Sequence, residues 1–415
     1  MPRWLSFIVL AVLAIAPPLA YWIYRTVNGH GQGFNDFHDY WLASKLVLQG
    51  HSPYDLDALK ALGEAEGRVF VLGTGYSYLP PFAIFIIPFA LLQFDAAVLS
   101  FNALSLVLFG LTVAGWIRWA HADADGMRTA ALAVVAGAYP PVYGTIANGQ
   151  ANLVVLAPFA LGVAAILTGG RTRSMLGGVA VGLAGVIKLV PAVVALPVAI
   201  GRRWVAAAGV VLGFAGSVVL ASLVVPFAAS GSGGLADLVG PDAYFTNQSI
   251  NGFVSRLIRD SDRTRALFPG AFDPLVVSLA LAAAFGLATL WLLWVARSEL
   301  ATRRGLSLAM ALVTVAAVAA APKNAIWNEV LVLVGVGLLV AVLMPDLRLS
   351  RLDRLDRWLL AGWLLGAVVQ TYLWEEPQVL DGKNAVFVTL IQSAAFYGLL
   401  ALWAVCARHV RRMRT

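Results

Sequence analysis

Charge is what this chain has least of. Of its 415 residues only 12% are Asp, Glu, Lys or Arg, and 60% are hydrophobic. Soluble domains carry about 25% charged residues. A soluble globule is excluded, because most of this chain never meets water. Cysteine is almost missing too. Cys406 stands alone, which excludes an intrachain disulfide and a cysteine metal site. Acidic residues are fewer than basic ones, 22 against 29. The basic excess lies in short flanks between apolar runs. Membrane topology and anionic headgroups account for it, so no nucleic-acid partner is required.

What is present is a series of apolar runs. A membrane-crossing helix needs roughly 20 mostly apolar residues. About twelve segments meet or approach that length, near 4–23, 79–93, 97–117, 129–147, 151–169, 175–200, 204–228, 274–297, 306–321, 327–344, 358–374 and 384–407. The expected fold is an all-α polytopic membrane protein of about eleven to thirteen transmembrane or re-entrant helices. We read it as one membrane domain over residues 1–415. The first run ends in Tyr21-Trp22-Ile23-Tyr24, an aromatic belt rather than a small-residue cleavage site, so it reads as a retained span.

Basic residues orient the spans. Arg3, Arg118 with Arg128, Arg171 with Arg173, and Arg202 with Arg203 mark one side. Arg297, Arg303 and Arg304, the Arg348–Arg357 cluster and the Arg408–Arg414 tail belong with them. Placing these in the cytoplasm puts loops 24–78 and 229–273 outside, with the short islands 148–150, 322–326 and 375–383. The expected location is the plasma (inner) membrane. Two segments break the alternation. Residues 79–93 are short and start near Pro80-Pro81, and 175–200 is interrupted by Lys188 and Pro191. Irregular backbone at membrane depth requires protein or a wet cavity around it. Both therefore point to a cavity.

The polar islands carry the candidate chemistry. In the first loop Asp36-Phe37-His38-Asp39-Tyr40-Trp41 opens a helical pattern that Gly50 should stop,. The aromatic residues suggest a helix lying in the interface plane. His51-Ser52-Pro53-Tyr54-Asp55 should start a second short helix running to about Leu62, and Gly73-Thr74 should return the chain toward the membrane. Asp36 reads either as a helix cap or as a catalytic carboxylate. Asp39 lies three residues on, on the same helix face. The pair could hold a divalent cation, but no other ligand type is close in sequence. No cofactor is expected. His38 can donate to a phosphate or sugar, or simply face the interface.

Beyond a flexible Ser230–Gly234 run, the second loop carries Asn247, Gln248 and Asn251, whose amides suit sugar hydroxyls, and Arg256, the best phosphate candidate there,. Arg259 and Arg263 read as solvated, as do Glu375 and Glu376. Lys188 binds a phosphate, or snorkels, or pairs with a buried acid. Gln150 and Asn152 in one island, and Lys323 and Asn328 in another, complete the candidate donor and acceptor contacts, with Tyr40 and Tyr78.

These motifs occur in a telling order: Asp36-x-His38-x-Tyr40, Ser52-Pro53-Tyr54, Tyr76-x-Tyr78-x-Pro80-Pro81-Phe82, Asn148-Gly149-Gln150-x-Asn152, Lys188-x-x-Pro191 and Asn247-Gln248-Ser249-x-x-Gly252. Over roughly residues 1–345 the chain resembles glycosyltransferase family 87, a branch of the GT-C superfamily. That branch includes the polyprenyl-phosphate-mannose-dependent α-1,2-mannosyltransferase of mycobacterial phosphatidylinositol-mannoside synthesis. The resemblance implies a polytopic enzyme with interfacial helices in its first external loop. It implies transfer of a sugar, mannose among the choices, from a polyprenyl-phosphate carrier on the extracytoplasmic side. It also implies a first-loop Asp as general base, which matches Asp36. One departure is Asn328-Glu329 after Trp327, where mycobacterial relatives often have paired histidines. Substrate and acceptor can differ accordingly.

The implied chemistry is physically coherent. A lipid phosphate is already a good leaving group, so the enzyme must activate an acceptor hydroxyl, align it and stabilise departing charge. One carboxylate is enough for inversion. The expected partners are the lipid-linked donor, a lipid or glycan acceptor and membrane lipids. The rival reading is a transporter or flippase of a lipid-linked sugar, since broken helices also mark transporters. It lacks a visible inverted repeat, and the polar islands gather on one side rather than at midplane.

Overall fold

The computed structural model describes residues 2–27, 35–67, 75–225, 239–261 and 264–413. The expectations for Gly73-Thr74, the 230–234 run and Arg263 lie outside the described residues. The helices begin with α1 (Arg3–Val27), α2 (Asn35–Leu48), α3 (Leu56–Ala65), α4 (Pro80–Ala90), α5 (Phe94–Ala120) and α6 (Gly126–Gly137). Next come α7 (Pro140–Asn148), α8 (Asn152–Thr168), α9 (Arg171–Ile187), α10 (Ala195–Ile200), α11 (Trp204–Ser222) and α12 (Ile250–Ile258). The last six are α13 (Pro274–Val295), α14 (Arg303–Ala320), α15 (Val332–Leu343), α16 (Arg354–Glu375), α17 (Ala385–Ile391) and α18 (Ala394–Arg412). Among the described residues there is no strand, only an isolated bridge between Asn247 and Ala325.

Among the described residues six helices are long and apolar enough to cross a membrane: α1, α5, α11, α13, α14 and the Ile326–Leu343 run that contains α15. The pairs α6–α7 and α17–α18, bent by 45° and 48°, raise this to eight if each is one broken span. The protein is therefore an all-α polytopic membrane protein. The expected eleven to thirteen counted re-entrant helices together with full crossings, and among the described residues several apolar runs are indeed divided. The 11 residues of α4 reach about 16 Å at 1.5 Å per residue, near half the hydrocarbon thickness. The 175–200 run also divides. α9 stops at Ile187, Lys188 is extended (φ −134°, ψ 125°), and a 3-10 turn, Val190–Val194, precedes α10.

The chain forms two compact units. One comprises Met1–Gly115, Thr145–Ala192 and Val205–Asp237, and the other Trp116–Gly144, Val193–Trp204 and Leu238–Thr415. In the first, glycines bring helices into backbone contact. A Cβ on Gly178 would lie 2.2 Å from the Ala206 carbonyl oxygen, and one on Gly182 2.3 Å from that of Val210. From the facing side, a Cβ on Gly209 would lie 2.4 Å from the Met175 carbonyl oxygen, and one on Gly213 2.3 Å from that of Val179. Two Gly-x-x-x-Gly faces thus cross, the close packing that membrane helices use in place of hydrophobic driving force. Gly162 and Gly177 do the same between α8 and α9.

In the second unit α14 is the central element, buried almost continuously from Gly305 to Ala319. α16 and α18 pack together, with Gly366 close to the Ala394 carbonyl and Gly398 close to that of Trp363. Polar ends secure this pair. Asp353 caps α16 and binds Arg408 and Arg412, while Asp356 meets Arg408 and, at 2.8 Å, His409.

Candidate functional site

α2 is positioned by core packing. Residues Phe37 to Ala43 and Ser44 are buried. Phe37 sits 4.9 Å from Phe101 and 6.0 Å from Phe94, ring to ring. Trp41 Nε1 donates to the Leu92 carbonyl at 3.2 Å, and Ser44 Oγ donates to that of Ala83 at 2.8 Å. A helix resting on an interface buries one face; α2 is enclosed far more fully than that. Each large apolar side chain so buried contributes about 1.5–3 kcal/mol, so the helix start is held firmly. The C-terminal stop is at Gly50 (φ 78°), where Gly50 N donates to Val47 O and His51 N to Leu46 O. That pair of bonds is a Schellman cap.

The same device delivers Gln150. Gly149 takes φ 64°, with Gly149 N bonded to Ile146 O and Gln150 N to Thr145 O. The Asn-Gly-Gln turn therefore ends α7 and projects Gln150 toward α2. Asn152 follows at the start of α8, fully buried, and donates to Thr145 Oγ1 at 3.3 Å.

Five of the expected residues meet around the Gln150 amide. Its Oε1 accepts from Lys188 Nζ at 3.1 Å and from the Tyr40 hydroxyl at 3.1 Å. The Tyr78 hydroxyl lies 2.7 Å from that of Tyr40 and 3.4 Å from Oε1. Because Oε1 faces these donors, the amide N–H is left to donate to Asp36, with which Gln150 is hydrogen-bonded. Lys188 Nζ also stands 5.2 Å from the Tyr78 ring centre, within cation–π range. Tyr54, in the Ser-Pro-Tyr motif, fixes this wall by donating to the Tyr78 carbonyl at 2.9 Å.

Asp36 occupies the first turn of α2 and is only half-buried. Packing around the carboxyl still pushes its pKa up, opposed by the Gln150 hydrogen bond and the Lys188 charge. Asp39 is more enclosed. Burial, and then the neighbouring Asp36 charge, push it up to about 8. One oxygen of Asp39, Oδ1, makes no hydrogen bond among the described residues. It lies 3.9 Å from His38 Nδ1, and the His38 ring stands edge-on to Phe94. Close carboxyls in a low-dielectric setting cannot both ionise easily. Burial and the neighbouring Asp36 charge thus both favour the protonated form of Asp39. No three His, Cys, Asp or Glu side chains come together as a metal site among the described residues.

In the second unit the expected ligand-binding amides have other partners. Asn247 Oδ1 accepts from Asn324 N at 3.0 Å and from Ser249 Oγ at 2.8 Å. Gln248 donates to the carbonyls of Phe245 and Gln392 at 2.7 and 2.8 Å, and accepts from Phe396 N at 3.0 Å. Asn251 donates to Gly240 O and Pro322 O. Arg256 is wholly buried, donating to Tyr244 O, Asn247 O and Ser393 Oγ at 2.8–3.2 Å. Desolvation lowers its pKa to about 10, so it stays charged. These side chains zip residues 240–256 to 322–326 and the start of α18. Lys323 is exposed, and Asn328 is half-buried on the 3-10 turn Ile326–Leu331.

One buried acid had no role assigned from sequence. Glu329 is fully buried and accepts from the Tyr139 hydroxyl at 3.4 Å, while its Oε1 makes no hydrogen bond among the described residues. Its signal was available: a single acid heading an apolar run.

No curated protein matches the chain. The family profile of glycosyltransferase family 87 matches residues 76–322, more than half of the sequence. The match includes Tyr78, Gln150 and Lys188 and begins after Asp36. On this match, the chain is a membrane glycosyltransferase that belongs to glycosyltransferase family 87.

Proposed function

We propose that the protein moves a hexose, mannose by family resemblance, from a polyprenyl-phosphate donor to a hydroxyl of a lipid or glycan acceptor. The reaction inverts the anomeric centre on the extracytoplasmic face of the plasma (inner) membrane. The observation that carries this reading is the one amide, Gln150, joining Asp36 to Lys188. Asp36 takes the proton of the acceptor hydroxyl as that oxygen attacks the anomeric carbon. The bond to the lipid phosphate breaks, and Lys188 balances the charge the phosphate gains. An upward-shifted Asp36 is a stronger base than an exposed carboxylate while remaining able to ionise. Tyr40 and Tyr78 present hydroxyls beside the same amide and orient the reacting groups. The scheme uses no cofactor and no divalent cation. Membership of a transferase family favours bond-forming chemistry over transport.

Lys188 rather than Arg256 takes the phosphate role in this proposal, because the Arg256 donors already serve the second loop. The test is transfer by the purified protein in nanodiscs, with polyprenyl-phosphate-mannose and extracted lipid acceptors. Asp36→Asn should stay folded and lose about a hundred-fold or more of the rate, the scale of general-base catalysis. Near wild-type transfer by Asp36→Asn would overturn the assignment of the base. No transfer from any polyprenyl-phosphate sugar would overturn the donor class.

A further inference from the structure

The second unit carries a polar groove that the proposed chemistry does not use. One cavity of about 810 Å³ lies between the segment after α12 and the segment joining α16 to α17. A second, of about 320 Å³, adjoins it and shares Ser261. Each lies in the range of small-molecule sites, about 300–1,000 Å³. The smaller is built from the loop before α12 and the segment after it, and the larger from that segment, the α16–α17 connection and one side of α17.

Three observations define what would occupy the groove. First, its charges balance: Arg259, Arg265 and Lys383 stand against Asp242, Asp260 and Asp381. A site for a phosphate or an anionic headgroup would carry net positive charge; this one is neutral. Second, the side chains of Arg265, Asp381 and Lys383 make no hydrogen bond or ion pair among the described residues. The Ser261 and Thr264 hydroxyls bond to each other, which leaves those three charged side chains to present donors and acceptors. Alternating donors and acceptors of both signs match neutral hydroxyl groups, each of which donates and accepts. Third, Tyr244, whose ring packs on one side against Phe245, is 56% exposed at the smaller cavity. Its backbone is fixed, because Arg256 holds its carbonyl and Asp242 Oδ1 accepts its N–H at 3.0 Å. An exposed aromatic on a rigid frame gives a sugar ring an apolar face to lie on. The buried amide network behind the loop thus serves as the scaffold of this surface.

From this geometry we infer that the groove binds a neutral oligosaccharide. Under the transferase reading, on which this identification of the occupant rests, the groove is a glycan-recognition site built from residues other than those of the Asp36 cluster.

Binding can be read without turnover. Wild-type protein without lipid donor is placed in phosphatidylcholine nanodiscs, free of sugar-headed detergent. Saturation-transfer NMR is recorded with mannotetraose, maltotetraose and cellotetraose. At least one should give a signal, and its affinity should fall about tenfold or more in Asp381→Ala/Lys383→Ala and in Tyr244→Ala. Inorganic phosphate should not compete. Absence of signal from all three, equal affinity in the variants, or competition by phosphate each overturns the groove assignment. Oligosaccharide binding by a protein that transfers no sugar would overturn the transferase reading and leave the groove standing. Transfer without such binding would do the reverse.

Discussion

Replacing Gln150 by leucine tests the centre of the proposed site, because one amide serves both halves of the chemistry. Leucine keeps roughly the volume and loses every polar contact. Two of those contacts involve charge: the N–H donated to Asp36 and the bond accepted from Lys188. A hydrogen bond to a charged group is worth about 1.5–3 kcal/mol. Loss of the Asp36 bond removes an interaction that favours the ionised carboxylate, so burial raises the Asp36 pKa further. The base must be ionised to act. Transfer at neutral pH should therefore fall about ten- to a hundred-fold, and the deficit should shrink as pH rises. Initial rates across pH 5–9 in nanodiscs, with saturating donor, give the profile. Its acid limb should move to higher pH in Gln150→Leu. An equal loss at every pH would mean that Gln150 does not set the ionisation of Asp36. The reasoning would then be refuted even if activity falls.

Other consequences follow from the same contacts. Asp39 is raised to about 8 by burial and by Asp36. The folded state therefore binds a proton that the unfolded chain has lost above the ordinary carboxylate range, so stability falls as pH rises through about 8. Asp39→Asn should flatten that decline, seen as a smaller drop in thermal midpoint between pH 6 and pH 9; an unchanged drop would refute the assignment. Arg256→Ala removes the guanidinium donors of the Asn247 carbonyl and the Ser393 hydroxyl and leaves the Tyr244 carbonyl with Asn247 N alone; it should cost about 1–3 kcal/mol, read as a lower unfolding temperature. Full stability with lost donor binding would instead restore a direct phosphate role. Gly182→Leu forces atoms into the Val210 backbone, whose oxygen would lie 2.3 Å from the new Cβ. It should destabilise the α9–α11 pair by about 1–3 kcal/mol, and wild-type thermal stability would show that these helices separate freely.

Much of the site is readable from sequence because its residues sit where regular structure must stop. Gly149 demands a positive φ at the end of α7, and the next residue, Gln150, is delivered by the cap itself. Lys188 occurs where α9 gives way to a 3-10 turn before Pro191 can continue it. Asp36 precedes the aromatic run Phe37–Trp41 that buries α2. The number of crossings is less readable. An apolar run of adequate length looks the same whether straight or broken, and the bends at Ala138-Tyr139 and Gln392-Ser393 leave little trace in hydropathy. The enclosure of α2 is also hidden, since its partners on α4 and α5 come from later apolar runs that sequence assigns to the membrane.

Arg256 shows why residue type alone does not identify a ligand site. An arginine among amides has the same composition whether it faces a phosphate or closes a loop. The distinction lies in which donors remain uncommitted. Around Arg256 and Asn247 the bonds are internal, so these groups determine backbone shape. Around Asp36 the arrangement differs. Asp36 as a residue is only half-buried, and its partner amide is shared with a cation and two phenols. Breaking this cluster would leave α2 anchored by Phe37, Trp41 and Ser44, whose contacts are independent of it. Polar groups whose loss spares the fold, yet which are held by that fold in a fixed array, are those available for chemistry. By this criterion the Asp36–Gln150–Lys188 cluster is the group to which we propose a catalytic role and the Arg256 network is architectural, although the sequence presents both as polar islands between apolar helices.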